Sequence, residues 1–311
     1  RVLGISEGDT VLCQSFTFIG SCNPVIYEKA NLIFIDSENE TWNMCPNSLR
    51  NALEDCRKRK IKPRAIIVVH LYGMPAKMDE ILSIANEYKV DVIEDAAEAL
   101  GSKLNNKPCG SFGRLSILSF NGNKIITTSG GGALVSNNLN DIDEANFLST
   151  QAKENKPFYE HKKTGYNYKL SNILASIGVA QLKVLDDRVN KRRKNYMFYY
   201  ELLKGIKGVT FLKEPKGYFS NRWLTCIIID EKACGTSVNQ IISEFEEEGI
   251  ETRRLWKPMH MQPIFKNNPF YGNGVSNLLF EQGICLPSGS NMGDDDKRRI
   301  KLKLTKIFSI K

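Results

Sequence analysis

Short stretches that are apolar at nearly every position alternate, through the first hundred residues, with segments whose apolar residues recur at helical spacing. Strands are predicted at 10–13, 32–36, 65–71 and 90–94, and helices at 47–59 and 78–88. A strand that is apolar on both faces is typical of a parallel sheet covered by helices on both sides. The alternation therefore predicts an α/β fold with a mostly parallel central sheet.

The remainder of the chain continues this pattern and then departs from it. Further strands are predicted at 115–120, 132–135 and 223–229, and helices at 171–203, at 238–248 and from Asp294 onwards. A chain of 311 residues usually forms about two domains. We predict a large domain over 1–190 and a smaller C-terminal α+β domain over 191–311, with the boundary near the end of the long helix.

The composition excludes some classes of protein. The chain carries 43 basic and 35 acidic residues, a net charge of +8, which suits an anionic partner but is spread along the sequence. The basic runs 57–60 and 191–194 fall at predicted helices without interleaved aromatic residues, so solvated helix faces are favoured over a nucleic-acid surface. The apolar runs are far shorter than the roughly 20 residues of a membrane-spanning helix. We therefore expect neither nucleic acid nor membrane as a partner.

Eight cysteines are scattered without a C-x-x-C motif or a close Cys/His cluster. This spacing argues against a zinc site and against a thioredoxin-like redox motif. Free thiols are the default in a reducing compartment, so we expect a cytoplasmic protein without a bound metal. Residues 1–4 read like the last turn of a helix with its glycine stop, which predicts that the sequence begins within a structure.

Two predicted strands of the sheet end at residues that could carry chemistry. Asp95 follows the strand at 90–94, and the strand at 115–120 leads through Ser119 to Lys124. Ligands of parallel sheets bind outside the carboxyl ends of the strands, where these residues would converge. A lysine that can form an imine, a carboxylate for a ring nitrogen, and small donors with glycines (130–132) for a phosphate are what pyridoxal phosphate requires.

Each of these residues also has an ordinary explanation when it is taken alone. Asp95 could be a helix N-cap, Lys124 a solvated surface group and Ser119 a strand-end serine. The glycines at 130–132 could form a simple turn. The combination of all four features is much more specific than any one of them, and it predicts a pyridoxal-phosphate site.

The same stretch resembles a known family. Residues 93–102 (IEDAAEALGS), then Ser119-Phe120, Lys124 and the run TSGGG at 128–132, are similar to the DegT/DnrJ-type nucleotide-sugar aminotransferases. Further blocks of that family are matched in order, and the resemblance covers nearly the whole chain. These blocks are 15–18 (SFTF), 165–172 (GYNYKLSN), 256–260 (WKPMH) and 286–288 (LPS). The resemblance implies the pyridoxal-phosphate transferase fold type I.

The resemblance also implies roles for the residues that would hold the cofactor. Lys124 would be both the covalent anchor and the general acid/base, and Asp95 would pair with the pyridine nitrogen. Phe18 would stack on the ring, although a core phenylalanine is the alternative. Glu98 would lie near the ring hydroxyl, where relatives often carry Gln or His, and Ser119 would bind the phosphate.

A second group of residues is implied to complete the site. Asn121 would line it from the lysine loop, and Asn167 would reach the phosphate of the neighbouring subunit's cofactor, which implies a homodimer with shared active sites. His260, Trp256 and Lys169 would contact the sugar substrate. On sequence alone, a turn asparagine, a polar loop histidine and a core tryptophan remain the alternatives for Asn167, His260 and Trp256.

The activity that the resemblance implies is transfer of an amino group from glutamate, through pyridoxal phosphate, to a nucleotide-linked 4-keto-6-deoxy sugar. UDP-2-acetamido-2,6-dideoxy-4-keto-hexose, of bacillosamine synthesis, is the expected acceptor. The alternatives are a GDP-perosamine-type synthase or a non-catalytic regulatory relative. Sugar 3-dehydratases of the family carry histidine in place of the lysine, so Lys124 argues against them. The family's phosphate-binding turn precedes the position of Arg1, and we therefore expect a longer enzyme.

Overall fold

The computed structural model describes residues 1–309 as strands and helices joined by short loops. The strands are β1 (Thr10–Gln14), β2 (Asn31–Ile35), β3 (Ala65–Val69), β4 (Asp91–Asp95), β5 (Lys103–Leu104), β6 (Lys107–Pro108), β7 (Leu115–Ser119), β8 (Gly132–Val135), β9 (Val209–Phe211), β10 (Tyr218–Phe219), β11 (Thr225–Ile229), β12 (Arg253–Arg254), β13 (Phe270–Tyr271) and β14 (Gly283–Leu286). The helices are α1 (Asn23–Tyr27), α2 (Pro46–Lys58), α3 (Met78–Tyr88), α4 (Leu139–Ser149), α5 (Asn172–Leu182), α6 (Leu185–Leu203), α7 (Glu231–Cys234), α8 (Val238–Glu246), α9 (Val275–Gln282) and α10 (Asp294–Ile307).

The main sheet has seven strands in the order β13-β2-β1-β3-β4-β7-β8. All neighbours in it are parallel except the β7–β8 pair. The register aligns Val69 at the end of β3 with Asp95 at the end of β4, and Asp95 with Ile117 of β7. The predicted α/β fold with a mostly parallel sheet is confirmed, and the carboxyl ends of its central strands share one edge.

Helices α2 and α3 cover one face of this sheet. Their apolar residues recur every three or four positions and pack onto β1, β2 and β3, as the sequence pattern predicts. The buried contacts join Leu49, Leu53 and Ile81 of the helices to Leu12, Ile33 and Ile66 of the strands. The other face packs against Val25, Met259 and Phe265. Each fully buried side chain of this size contributes about 1.5–3 kcal/mol.

A second sheet, with four antiparallel strands in the order β12-β14-β11-β9, lies in the C-terminal part of the chain. Its apolar core joins Ile227 and Ile284 to Tyr199 of α6, Phe245 of α8 and Leu304 of α10. Strand β13, also from this part of the chain, pairs with β2 in the main sheet. The C-terminal third therefore contributes to both sheets, and the division at residue 190 stays a prediction.

The long helix predicted at 171–203 is divided in the structure. It forms α5 and α6, and Val184 between them has φ −111° and ψ 12°, outside the helical range. Helix α6 has a buried face, whereas no residue of α5 is buried within this chain. In residues 1–309 no helix combines the length and the apolar character needed to cross a lipid bilayer.

Asp36 joins the return segment β13–α9 to the main sheet. It follows β2, is fully buried, and accepts hydrogen bonds of 2.7–3.0 Å from the backbone N–H groups of residues 273–276. The Ser276 hydroxyl donates a further bond of 2.5 Å. These N–H groups lie at the start of α9, where a carboxylate is stabilised by the helix dipole.

We expect Asp36→Ala to lower the free energy of unfolding by about 3 kcal/mol or more, because several buried N–H groups lose their acceptor together. Urea unfolding followed by circular dichroism measures this change. The control is Asp143→Ala, which removes an exposed aspartate of α4 and should shift the unfolding free energy by less than about 0.5 kcal/mol. Equal effects of the two substitutions would contradict the role of Asp36.

Candidate active site

A cleft of about 1230 Å³ opens at the carboxyl ends of β3, β4 and β7. It continues between the two sheets to the end of β14 and the first turns of α10. Its position agrees with the rule that parallel sheets bind ligands at this edge. Among the residues that line it are Thr17, Phe18, Asp95, Glu98, Ser119, Asn121, Lys124, Trp223 and Trp256.

Asp95 is the last residue of β4, and both of its carboxylate oxygens are held. Oδ1 accepts the Ala97 N–H at 3.1 Å, and Oδ2 accepts the Ser21 hydroxyl at 2.6 Å. The hydroxyl oxygens of Ser21 and Thr17 lie 2.8 Å apart. Sequence reasoning missed Ser21, because its contact with Asp95 spans 74 residues and no local motif announces it. Each oxygen keeps a free lone pair for a ring N–H in the cleft.

Lys124 lies in the loop after β7 with an 11% exposed side chain. Its Nζ is 3.6 Å from the nearer oxygen of Glu98 and 4.3 Å from the centre of the Trp223 ring. A carboxylate and an aromatic face therefore flank the amine. The structure brings Lys124 and Asp95 into one cleft, as the sequence predicts, and adds Trp223, which the sequence reasoning placed only at the start of a strand.

Glu98 is buried in the wall between Lys124 and Asp95. Burial raises the pKa of its carboxyl to about 7, even though Lys124 and the Tyr72 N–H stabilise the charged form. The negative charge of Asp95 adds to the rise. Tyr72 N–H donates to the far oxygen at 2.7 Å, and the near oxygen faces Lys124. A carboxyl with this pKa can donate or accept a proton near neutral pH.

Phe18 and Trp256 form an aromatic wall of the cleft. Their ring centres are 5.6 Å apart, and Phe18 is 59% exposed, so it is not the core phenylalanine of the alternative interpretation. Ser119 and Asn121 lie on the opposite side, where the Asn121 N–H donates to the Ser119 hydroxyl oxygen at 3.4 Å. Their predicted contacts with a cofactor stay predictions.

Three of the predicted residues do not line the cleft of this chain. The Gln151 side-chain amide donates to Asn167 at 2.9 Å. Lys169 donates to the Asn146 side chain at 2.8 Å. His260 Nδ1 lies 2.7 Å from the Ser15 hydroxyl, and its ring stacks on Phe270 at 3.7 Å. Burial lowers the pKa of His260, which favours the neutral ring.

The residues of the cleft fit pyridoxal phosphate. An exposed aromatic face is present for the ring, a two-oxygen carboxylate for the ring nitrogen, and a primary amine for the aldehyde. The hydroxyl of Ser119 is available to a phosphate oxygen. Within residues 1–309, no group of three or more His, Cys, Asp or Glu side chains is placed to hold a metal ion.

Comparisons with known proteins agree with this chemistry. The model of the DegT/DnrJ/EryC1/StrS aminotransferase family matches residues 1–305. EpsN of Bacillus subtilis (strain 168), provisionally assigned as a pyridoxal phosphate-dependent aminotransferase, is 51% identical over 99% of this chain and 80% of its own. GDP-perosamine synthase of Escherichia coli O157:H7 is 34% identical over 99% of this chain and 82% of its own.

A solved structure shows the same architecture. The crystal structure of a DegT DnrJ EryC1 StrS aminotransferase from Brucella abortus superposes with a TM-score of 0.90 at 27% sequence identity. The superposition covers 98% of this chain and 81% of that chain. The predicted fold type and the predicted family are therefore both confirmed.

We expect Glu98→Gln to change how stability depends on pH in the cofactor-free protein. The folded-state pKa of about 7 lies above the ordinary 4.5, so the folded wild type binds a proton that the unfolded chain releases between these values. As pH rises from 4.5 to 7, the wild type should lose up to about 3 kcal/mol relative to the variant, since one pKa unit is worth about 1.4 kcal/mol.

Denaturant midpoints measured at several pH values for both proteins test this expectation. The variant keeps the acceptor for the Tyr72 N–H and loses only the titration. A constant difference between wild type and variant across this range would contradict the burial of an ionisable Glu98.

Proposed function

Because the chain belongs to the DegT/DnrJ/EryC1/StrS aminotransferase family and is a pyridoxal-phosphate-dependent aminotransferase, we propose that it transfers the amino group of glutamate to the keto carbon of a nucleotide-linked 4-keto-6-deoxy sugar. The observation that carries this proposal is the convergence of Lys124, Asp95 and Glu98 in one cleft. The cleft, at about 1230 Å³, is larger than the roughly 300–1,000 Å³ of an ordinary small-molecule pocket. It can therefore hold a cofactor together with an extended substrate.

Each residue at the deep end has a distinct task. When bound, pyridoxal phosphate supplies the electron sink that makes the proton on the amino-bearing carbon of the substrate acidic. Lys124 Nζ takes up this proton and returns it at the end of the transfer. The Asp95 carboxylate, held by Ser21 and Ala97, orients and charges the ring nitrogen. Glu98 holds or releases a proton beside the ring oxygen.

The substrate would extend from Lys124 toward the small sheet. Three arginines, Arg253, Arg254 and Arg299, line that end of the cleft and could face a nucleotide diphosphate. The proposed acceptor is UDP-2-acetamido-2,6-dideoxy-4-keto-hexose, of bacillosamine synthesis. A GDP-perosamine-type activity is the second candidate, favoured by the 34% identity with GDP-perosamine synthase. The complete set of titratable groups around Lys124 argues against a non-catalytic regulatory relative.

We also propose that the protein acts as a homodimer. Helix α5 exposes an apolar surface, with Ile173 76% exposed and Val179 59% exposed, which suits a partner subunit. Asn167 and Lys169 precede α5 and are exposed, so they could reach the site of the partner. A second copy would in this way supply the residues that the cleft of one chain lacks.

A cytoplasmic location is part of the same proposal. It is supported by the eight cysteines, all of which are free thiols. Cys226 and Cys285, for example, lie 3.7 Å apart without a disulfide bond. Free thiols at this distance are consistent with a reducing compartment.

Lys124→Ala is expected to abolish the visible absorbance of the lysine-bound cofactor and to lower amine transfer at least about a thousandfold, because covalent anchoring and proton transfer both end. Spectroscopy and mass analysis of a panel of keto-sugar nucleotides incubated with glutamate measure the two effects. The matched control is Lys207→Ala, which removes an exposed lysine. A wild-type protein that binds no pyridoxal phosphate would contradict the proposal.

Shared active sites can be tested by mixing inactive variants. Lys124→Ala and Asn167→Asp should each be inactive as homodimers, whereas their heterodimer contains one intact site. Mixed and re-equilibrated subunits should recover about a quarter of the wild-type activity if half of the dimers are mixed. The control mixture of Lys124→Ala with Asp95→Asn should recover none, because both substitutions damage the part of the site that one chain supplies. Equal recovery in the two mixtures would contradict the dimer proposal.

A further inference from the structure

Trp223 contacts Lys124 from the other sheet. It lies two residues before β11, is only 3% exposed, and lines the cleft with the face of its indole ring. Lys124 Nζ lies 4.3 Å from the ring centre. At this distance an aromatic face attracts a lysine ammonium and limits the directions in which the amine can point.

The same indole also holds the backbone next to Lys124. Its ring N–H donates to the carbonyl of Asn123 at 2.8 Å. The contacts within the loop are longer, at 3.4 Å from the Asn121 N–H to Ser119 and 3.4 Å between the side chains of Asn121 and Asn123. One side chain of the small sheet therefore fixes the peptide before Lys124 and also flanks its amine.

Trp223 is itself firmly positioned. Its backbone N–H donates to the Asn221 side chain at 2.8 Å, and its carbonyl accepts a bond from the Arg192 guanidinium of α6. The Asn221 side-chain amide in turn donates to the carbonyls of Glu98 and Leu100 at 2.8 and 2.9 Å. The indole thus belongs to a buried polar network that joins α6 to the segment after β4.

The plane of the ring is fixed as well. Trp223 stacks on Tyr72, with ring centres 6.5 Å apart and an angle of 20° between the planes. The backbone N–H of Tyr72 holds Glu98, and the Tyr72 hydroxyl accepts the N–H of Trp256 at 3.0 Å. The aromatic face beneath Lys124 is consequently preorganised by the same residues that hold Glu98 and the cleft wall.

We propose that Trp223 is a positioning residue for Lys124. Its ring N–H sets the height of the lysine loop, and its ring face directs the amine toward the centre of the cleft. The inference rests on the proposed function, in which Lys124 binds the cofactor aldehyde and moves a proton. Because misplacement of a reacting group by about 1 Å can cost about a hundredfold in rate, loss of this support should be visible in the chemistry of Lys124.

Two substitutions separate the two contacts. Trp223→Phe keeps an aromatic face and removes the N–H donor, and Trp223→Leu removes both. The measurement is the rate at which Lys124 captures added pyridoxal phosphate, followed by visible absorbance and, after borohydride reduction, by peptide mass. Since capture depends on amine placement, we expect a decrease of about tenfold for Phe and about a hundredfold for Leu. In steady-state assays kcat should fall by similar factors while KM for glutamate stays within about twofold.

The control is Trp42→Phe, which removes an indole N–H from another buried tryptophan and should leave the capture rate unchanged. Thermal midpoints identify variants that lose the fold, and if the Leu variant does not fold, the Phe variant alone decides. Wild-type capture rates and kcat in a folded Trp223→Phe variant would overturn the inference and leave the proposed function intact. A wild-type protein whose Lys124 captures no pyridoxal phosphate would overturn both.

Discussion

The active-site edge of the main sheet depends on one buried carboxylate. Glu94 lies in β4 directly before Asp95 and is fully buried. Although burial alone would raise its pKa, its hydrogen-bond donors lower the pKa to about 2 and keep it ionised. The donors, at 2.5–2.9 Å, are the His70 ring after β3, the N–H groups of Gly110, Phe112 and Gly113, and the Ser116 hydroxyl of β7. The carboxylate therefore locks three strands in register at the site.

This lock explains how residues distant in sequence acquire fixed geometry. Successive residues of a strand point to opposite faces, so the inward Glu94 leaves Asp95 directed to the other side at the strand end. His70 accepts the Ala76 N–H at Nδ1, 3.0 Å away, and therefore carries its proton on Nε2, from which it donates to Glu94. The positions of Asp95 and of the Lys124 loop after β7 follow from a register that the buried network does not allow to slip.

The sequence predicted the parts of the fold that local patterns encode. Helix α3 was predicted over its observed range, and the strands that carry Asp95 and Lys124 were predicted within a few residues, because buried parallel strands and amphipathic helices have distinct periods. Strand β13 has two residues and takes its place only by pairing with β2, a contact across more than 230 residues. Ser21 and Trp223 were missed for the same reason, since their roles exist only through partners remote in the chain.

The cleft holds two carboxyls in different environments, and this difference separates their tasks. Asp95 receives hydrogen bonds from Ser21 and Ala97, donors that suit an ionised carboxylate. Glu98 is buried and accepts one backbone N–H, and its pKa rises to about 7. Environments that separate paired titratable groups in this way are typical of sites with distinct acid and base roles. Lys124 lies beside Glu98 and against the Trp223 face, so a proton released by its amine has an acceptor within 3.6 Å. A carboxyl at position 98 therefore gives this cleft a proton-holding group that a glutamine there could not supply.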